Sequence, residues 1–188
     1  MDTFRWIGVI FSIILGLGVT RLLAGAVSVF RARNRARIDW LSLAWALGIF
    51  LSQLDYWWSI LELPTIVSTW TFGNFAILVS LTLLLFVAAA LILPAEELKE
   101  GDDLAASFAA DGRFALVALA AYWVLAALAN EYVWGAPIVS GWGILAAAEI
   151  ALPLIVFAVP SRQVRGILTI VFLIVAVWEI VLSARTTY

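Results

Sequence analysis

The chain has 188 residues, 65% of them apolar and 13% charged, with a net charge of −2. Soluble domains average roughly 45–50% apolar and about 25% charged residues, so this chain lacks the polar surface to cover itself in water, and lipid is its natural solvent. It contains no Cys and no His. That excludes disulfides, thiolate chemistry, the commonest metal and haem ligand and the commonest general base, and no basic tail is present for nucleic acid.

Six apolar stretches, each near the ~20 residues a spanning helix needs, predict an all-α polytopic membrane protein. They form one transmembrane domain over residues 1–188, a bundle of six helices. The first runs Trp6–Phe30. Its Ala24-Gly25-Ala26 is a small-residue pattern of the kind found at signal-peptide cleavage sites, but Arg21 interrupts the run before it and apolar character resumes to Phe30. The expectation is a retained helix. Gly8, Ser12, Gly16, Thr20, Ala24 and Ser28 recur four apart, a small-residue face on which helix backbones approach closely. Helix 1 is thus expected in the centre of the bundle or at a homo-oligomer contact, the first being favoured because Arg21 needs burial. Arg31, Arg33, Arg35 and Arg37 follow.

The second stretch, Trp40–Leu61, carries a polar stripe of Gly48, Ser52, Asp55 and Ser59, with Gln53 off it. The stripe is expected to face the interior, lining a wet cavity or bonding between helices. The third is Phe72–Leu93. The loop Pro94–Arg113 is acidic, with Glu96, Glu97, Glu100, Asp102, Asp103 and Asp111 against Lys99 and Arg113. Asp102 or Asp103 is placed to cap a short helix through Ala110, with Gly112 as its stop and Leu104 and Phe108 on one face. The loop is expected to be solvated charge, with docking onto the four-Arg loop as the alternative. The last three stretches are Phe114–Asn130, with Glu131 at its mouth, Trp142–Val159 and Gly166–Ser183.

Lys and Arg of short loops set orientation. Arg31, Arg33, Arg35, Arg37, Lys99, Arg113, Arg162 and Arg165 fall on one side, against Arg5 and Arg185 on the other. This predicts the odd loops in the cytoplasm and both termini outside. Abundant Ala and Arg with a single Lys suggest a GC-rich bacterial genome, hence a bacterial inner membrane.

Ionisable groups at membrane depth are costly and are default functional candidates. Four stand out: Arg21, Asp55, Glu149 and Glu179. At ~1.5 Å per residue, Arg21 lies roughly 4–5 Å to the cytoplasmic side of its helix midpoint, and the carboxylates about 7, 2 and 7 Å to the outer side of theirs. A structural ion pair of Arg21 with one carboxylate, Glu149 first, would leave the other two to stay protonated or bind a cation. Pro153 has no N–H, so the carbonyl four residues back, that of Glu149, loses its partner and joins an oxygen-rich spot suited to hard cations or protons. Trp6, Trp57, Trp58, Trp70, Trp134, Trp142 and Trp178 fall toward the outer side. An interfacial belt accounts for them; alternatively Trp57, Trp58 and Trp178 roof the carboxylates as a box for an organic cation. Asp55 and Glu149 occupy corresponding helices of a three-plus-three division, but nothing else aligns and no repeat is inferred.

No nucleophile–base pair is visible, so no catalytic residue, metal site or cofactor is expected. The favoured reading is a small transporter or channel-like protein for protons, cations or a small organic cation, using Asp55, Glu149 and Glu179. The alternative is a non-transporting accessory or scaffold subunit. The segments GLGVTRLLAG (Gly16–Gly25), LDYWWS (Leu54–Ser59) and WTFG (Trp70–Gly73), with the Arg cluster, resemble small six-helix bacterial inner-membrane proteins, over about the first half of the chain. That resemblance implies no particular activity. The vitamin-binding subunits of energy-coupling-factor importers are similar in the small-residue face of helix 1, but their termini lie inside.

Overall fold

The computed structural model describes the backbone of residues 2–67, 70–132 and 141–185, and side chains at 7–61, 63, 67, 70–132 and 141–182. The architecture is all-helical: α1 (Asp2–Ala32), α2 (Trp40–Ile66), α3 (Phe72–Ile92), a short α4 (Leu104–Ser107), α5 (Phe114–Tyr132), α6 (Gly141–Ala158) and α7 (Arg162–Arg185). No strand occurs among the described residues; one isolated bridge joins Arg37 to Asp103. Among the described residues five helices are long and apolar enough to cross a membrane: α1 from Ile7, α3, α5, α6, and α7 as far as Leu182. The helix α2 has 27 residues, but Ser42, Ser52, Gln53, Asp55 and Ser59 lower its apolar character.

Around the bundle the neighbours run α1, α3, α5, α6, α7, α2 and back to α1, with α2 also touching α3. Consecutive long helices alternate in direction. The end of α1, the starts of α2 and α7 and the loop after α3 all meet at one end. There Gly101 N–H donates to the Arg35 carbonyl at 3.0 Å, and Arg162 Nη2 reaches Asp39 Oδ1 at 2.7 Å. Arg33, Arg35, Arg37, Lys99, Arg113, Arg162 and Arg165 therefore share that arginine-rich end, and Asp55, Glu149 and Glu179 lie toward the other. The outer face is apolar: Ile13, Leu17, Ile144 and Ile174 are each more than half exposed. Soluble proteins rarely expose so continuous an apolar surface, whereas lipid demands one.

The core is aromatic and tightly interdigitated. Trp45 of α2 packs on Phe172 of α7 at a 38° tilt with centroids 4.6 Å apart, and Tyr56 of α2 meets Tyr122 of α5 edge-on at 6.0 Å. Tyr56 O–H donates to the Leu78 carbonyl of α3 at 2.8 Å. Gly48 permits the α2–α7 approach, since a Cβ there would lie 2.8 Å from Phe172.

The buried stripe of α1 is Phe11, Leu15, Gly18, Leu22, Gly25 and Val29, at helical spacing. The small-residue series points elsewhere. Ser12, Thr20 and Ala24 are exposed, and a Cβ at Gly8 or Gly16 would meet nothing within 4 Å. Its favoured placement in the bundle centre is thus corrected. A four-residue repeat advances 40° per step past a full turn, so it drifts around the helix, and the larger Phe11, Leu15 and Leu22 bury more apolar area.

The acidic loop is docked through its backbone. Arg37 N–H donates to the Asp102 carbonyl at 2.9 Å, and Leu104 N–H to the Arg37 carbonyl at 3.0 Å. The fully solvated picture of this loop is therefore revised. The charges add one long contact, Arg35–Glu97 at 3.9 Å, with both side chains about half exposed or more, and such pairs contribute little. Gly101 takes φ +89° in the turn that sets this up, a conformation glycine adopts without strain. Asp103 caps α4, its Oδ1 accepting from Ala105 N–H at 2.8 Å, and Leu104 and Phe108 are buried. Gly112 is no stop. Phe108–Gly112 forms a π turn, Arg113 N–H donating to the Phe108 carbonyl at 2.8 Å, and the chain runs on into α5.

Candidate functional site

The buried face of α6 is Ala146, Glu149, Pro153 and Val156, at the 3–4 residue spacing of one helix side. Glu149 is 0% exposed. The facing stripe of α7 is Thr169, Phe172, Ala176 and Glu179, all buried. Because α6 and α7 run antiparallel, Glu149 and Glu179 come together. Their carboxyls approach each other within hydrogen-bonding range, and neither Glu149 oxygen has another partner among the described residues. Glu179 Oε1 accepts from the Trp142 indole N–H at 3.0 Å. Pro153 lies inside α6 without ending it, and its missing N–H takes the partner from the Glu149 carbonyl.

Asp55 of α2 is half-buried and stands in electrostatic range of Glu149; all three carboxylates act on the buried phenol of Tyr122. Tyr122 of α5 is therefore the hub, with Trp123 at 5.1 Å and Tyr56 around it. Among the described residues no three acidic side chains converge closely enough to hold a metal ion. The arrangement is a close pair, Glu149 and Glu179, with Asp55 as a more accessible outlier. Two facing carboxyls in a dry interior repel strongly when both are ionised, so a proton or a cation between them is what lets them coexist.

Four expected members go elsewhere. Arg21 does not pair with Glu149. Its Nη2 donates to the carbonyls of Leu93 at 2.8 Å and Ala90 at 3.3 Å, at the end of α3. The last carbonyls of a helix lack intrahelical donors and carry the negative end of its dipole, so a cation beside them is well placed. Trp57, Trp58 and Trp178 do not roof the site; they are 40%, 42% and 56% exposed. Trp57 and Trp178 each neighbour a buried residue in sequence (Tyr56 and Glu179) and so turn 100° off its face, while Trp58, two residues past Tyr56, turns 200° off it. Trp6 and Trp134 lie outside the described side chains.

Trp142 is the aromatic that meets the pair, and its i, i+7 spacing to Glu149 on one helix face was the signal. Gln53 was set aside as off the stripe, yet it is 1% exposed, packed against Gly18 of α1. Ser52 and Ser59 bond back to carbonyls of their own helix, Gly48 at 3.1 Å and Asp55 at 3.1 Å, rather than across to another. Tyr122 had no sequence signal beyond being a polar ring in an apolar helix.

No protein-family model, curated protein or solved structure matches this chain.

Proposed function

We propose that the chain is a small six-span transporter or channel-like protein of a bacterial inner membrane, both termini outside, carrying protons or small cations past Glu149 and Glu179. The observation behind this reading is the Glu149–Glu179 pair. Two carboxyls face each other inside the bundle, and neither is in an ion pair among the described residues. A purely structural role has no use for such a pair, since an apolar pair of the same size fills the space at lower cost. Asp55, half-buried, gives a gradation from accessible to occluded that suits entry and transfer. A facing pair of carboxyls can share a proton or a weakly coordinated cation.

The sixth span is α2. At 27 residues it is about 40 Å long at 1.5 Å per residue, enough to cross the ~30 Å hydrocarbon. It sits between α1 and α7, and its polar residues Ser52 and Gln53 are buried. Gathering of the cationic loops at one end supports placing that end in the cytoplasm. The loose likeness to small six-helix inner-membrane proteins agrees with this, as does the lack of any nucleophile–base pair for an enzyme.

The test is flux. The purified chain is reconstituted into liposomes containing a pH-sensitive dye, and proton, Na+, K+ or tetramethylammonium gradients are imposed. Wild type should pass at least one of these, and Glu149→Gln/Glu179→Gln should reduce that flux to the level of empty liposomes. Equal flux in the double variant would overturn the site.

One observation favours the accessory reading. The small-residue series of α1 faces outward, where it suits a close contact with a second copy or another membrane helix. The Cys-free sequence makes Gly16→Cys a clean probe. Crosslinking at Gly16 but not at Ile174→Cys, with no flux of any ion tested, would favour that reading.

A further inference from the structure

The sequence reading gave Arg21 to the carboxylates, and its release from them leaves a different site to explain. The helix α3 has 21 residues, about 31 Å, matching the ~30 Å hydrocarbon thickness. The helix α1 has 31 residues, about 46 Å, and overshoots it. The two are in register at Gly25, where an added Cβ would lie 3.0 Å from Leu93, the residue that ends α3. A hydrocarbon layer matched to α3 would end at Gly25 and Leu93, with α1 continuing about two turns beyond it to Arg31.

At that level lies a half-open crevice of about 290 Å³ between α1 and the segment after α3. Arg21 lines its deep end, Arg31 its upper end, Pro94 one wall, and Ala24 and Val27 the side facing lipid. Arg21 reaches up to this level from one turn below, its guanidinium fixed by the Leu93 and Ala90 carbonyls. Those two bonds use the N–H groups of Nη2. A guanidinium has five such donors, so three remain, and no described acceptor takes them. Arg31 is exposed and makes no hydrogen bond or ion pair among the described residues. The acidic residue on the lining is Glu97, directed toward Arg35 at 3.9 Å.

We propose that this crevice binds the phosphate of an anionic phospholipid from the leaflet at the arginine-rich end. Fixed and free guanidinium groups at headgroup depth match a phosphate diester, which accepts their N–H bonds in the plane of the fork. Exposed Ala24 and Val27, on either side of Gly25 at that level, give the start of one acyl chain an apolar wall. An inorganic phosphate could use the same donors but not that wall.

The test is native mass spectrometry of the full chain, delipidated and then exposed to mixed micelles of phosphatidylglycerol or phosphatidylcholine. Wild type should retain one phosphatidylglycerol in preference to phosphatidylcholine. Arg31→Gln should weaken that retention roughly fivefold, the effect of one basic residue at about 1 kcal/mol. Arg33→Gln, whose residue is outside the crevice, should retain it as wild type does. Arg21→Gln should lose retention too, but it also frees the end of α3, so Arg31→Gln decides the matter. Arg31→Lys should keep most of the binding. Equal retention of both lipids, or no loss in Arg31→Gln, overturns the proposal. Inorganic phosphate displacing the lipid at low millimolar concentration also overturns it, assigning the site to a soluble anion.

Discussion

Glu149 is the most exacting place to perturb this protein. Its carboxyl is 0% exposed, and apart from the Glu179 carboxyl neither oxygen has a partner among the described residues. A buried polar group without a partner costs about 1–3 kcal/mol. Replacing it by a side chain of similar length and no polar atoms removes that cost and opens no large cavity. Glu149→Met should therefore stabilise the chain by about 1–3 kcal/mol, a rise of roughly 2–12 °C in melting temperature at this chain length. The contrast is Glu179→Met. Glu179 accepts the Trp142 N–H at 3.0 Å, so its removal leaves that indole without its acceptor and offsets the gain. Differential scanning fluorimetry in one detergent, at one pH, measures both. A protein that keeps a destabilising carboxyl in its core keeps it for use, so Glu149→Met should be both more stable and inactive in the flux assay. A lower melting temperature for Glu149→Met than for wild type would refute the reasoning, because the pairing with the Glu179 carboxyl would then be a net stabilising one.

Arg21→Ala should destabilise by about 1.5–3 kcal/mol through loss of two charge-assisted bonds, and Glu149→Gln should add to it independently in a double-mutant cycle, with no rescue. Arg162→Ala leaves the Asp39 carboxylate, only 4% exposed, without its 2.7 Å partner. Since Arg162 itself is mostly in water, the cost should be about 1–2 kcal/mol, below that of a fully buried pair, with Asp39→Asn/Arg162→Ala recovering part of it on thermal melting. Gly48→Val drives a methyl into Phe172, which is wedged against Trp45 and cannot yield. A loss of about 1–3 kcal/mol is expected, while Gly8→Val, open on the outer face, should melt as wild type does. Reporter fusions after Arg37 and at Tyr188 should report opposite sides of the membrane, and the same side for both would end the six-span reading.

The sequence by itself determined the apolar surroundings and the helical secondary structure, though α2 runs past the expected Leu61 to Ile66 and α7 begins at Arg162 rather than Gly166. Runs of about 20 apolar residues admit only helices in lipid, because every backbone N–H and C=O must then be satisfied within its own segment. That is a local constraint, and local constraints are legible. The same holds for the Asp103 cap and for the gathering of basic loops at one end. It also marked Asp55, Glu149 and Glu179 as costly groups that must face inward, because an ionisable group on the lipid side is too expensive. What it left open was which inward groups meet. Arg21 and Glu149 were plausible partners by depth alone, but depth is one coordinate, and rotation about each helix and the order of helices around the ring are two more. The ring order put α3 beside α1 and gave Arg21 the free carbonyls of Leu93 and Ala90. It put α7 beside α6 and gave Glu149 the carboxyl of Glu179. Rotation turned Trp57, Trp58 and the small residues of α1 outward and brought Trp142, Tyr122 and Gln53 in. In lipid the outside is as apolar as the core, so hydrophobic periodicity says little about which face is which. Packing of Gln53, Leu93 and the Phe172 ring against Gly18, Gly25 and Gly48 fixes the rotation instead, and that is a property of pairs of helices that no single stretch of sequence contains.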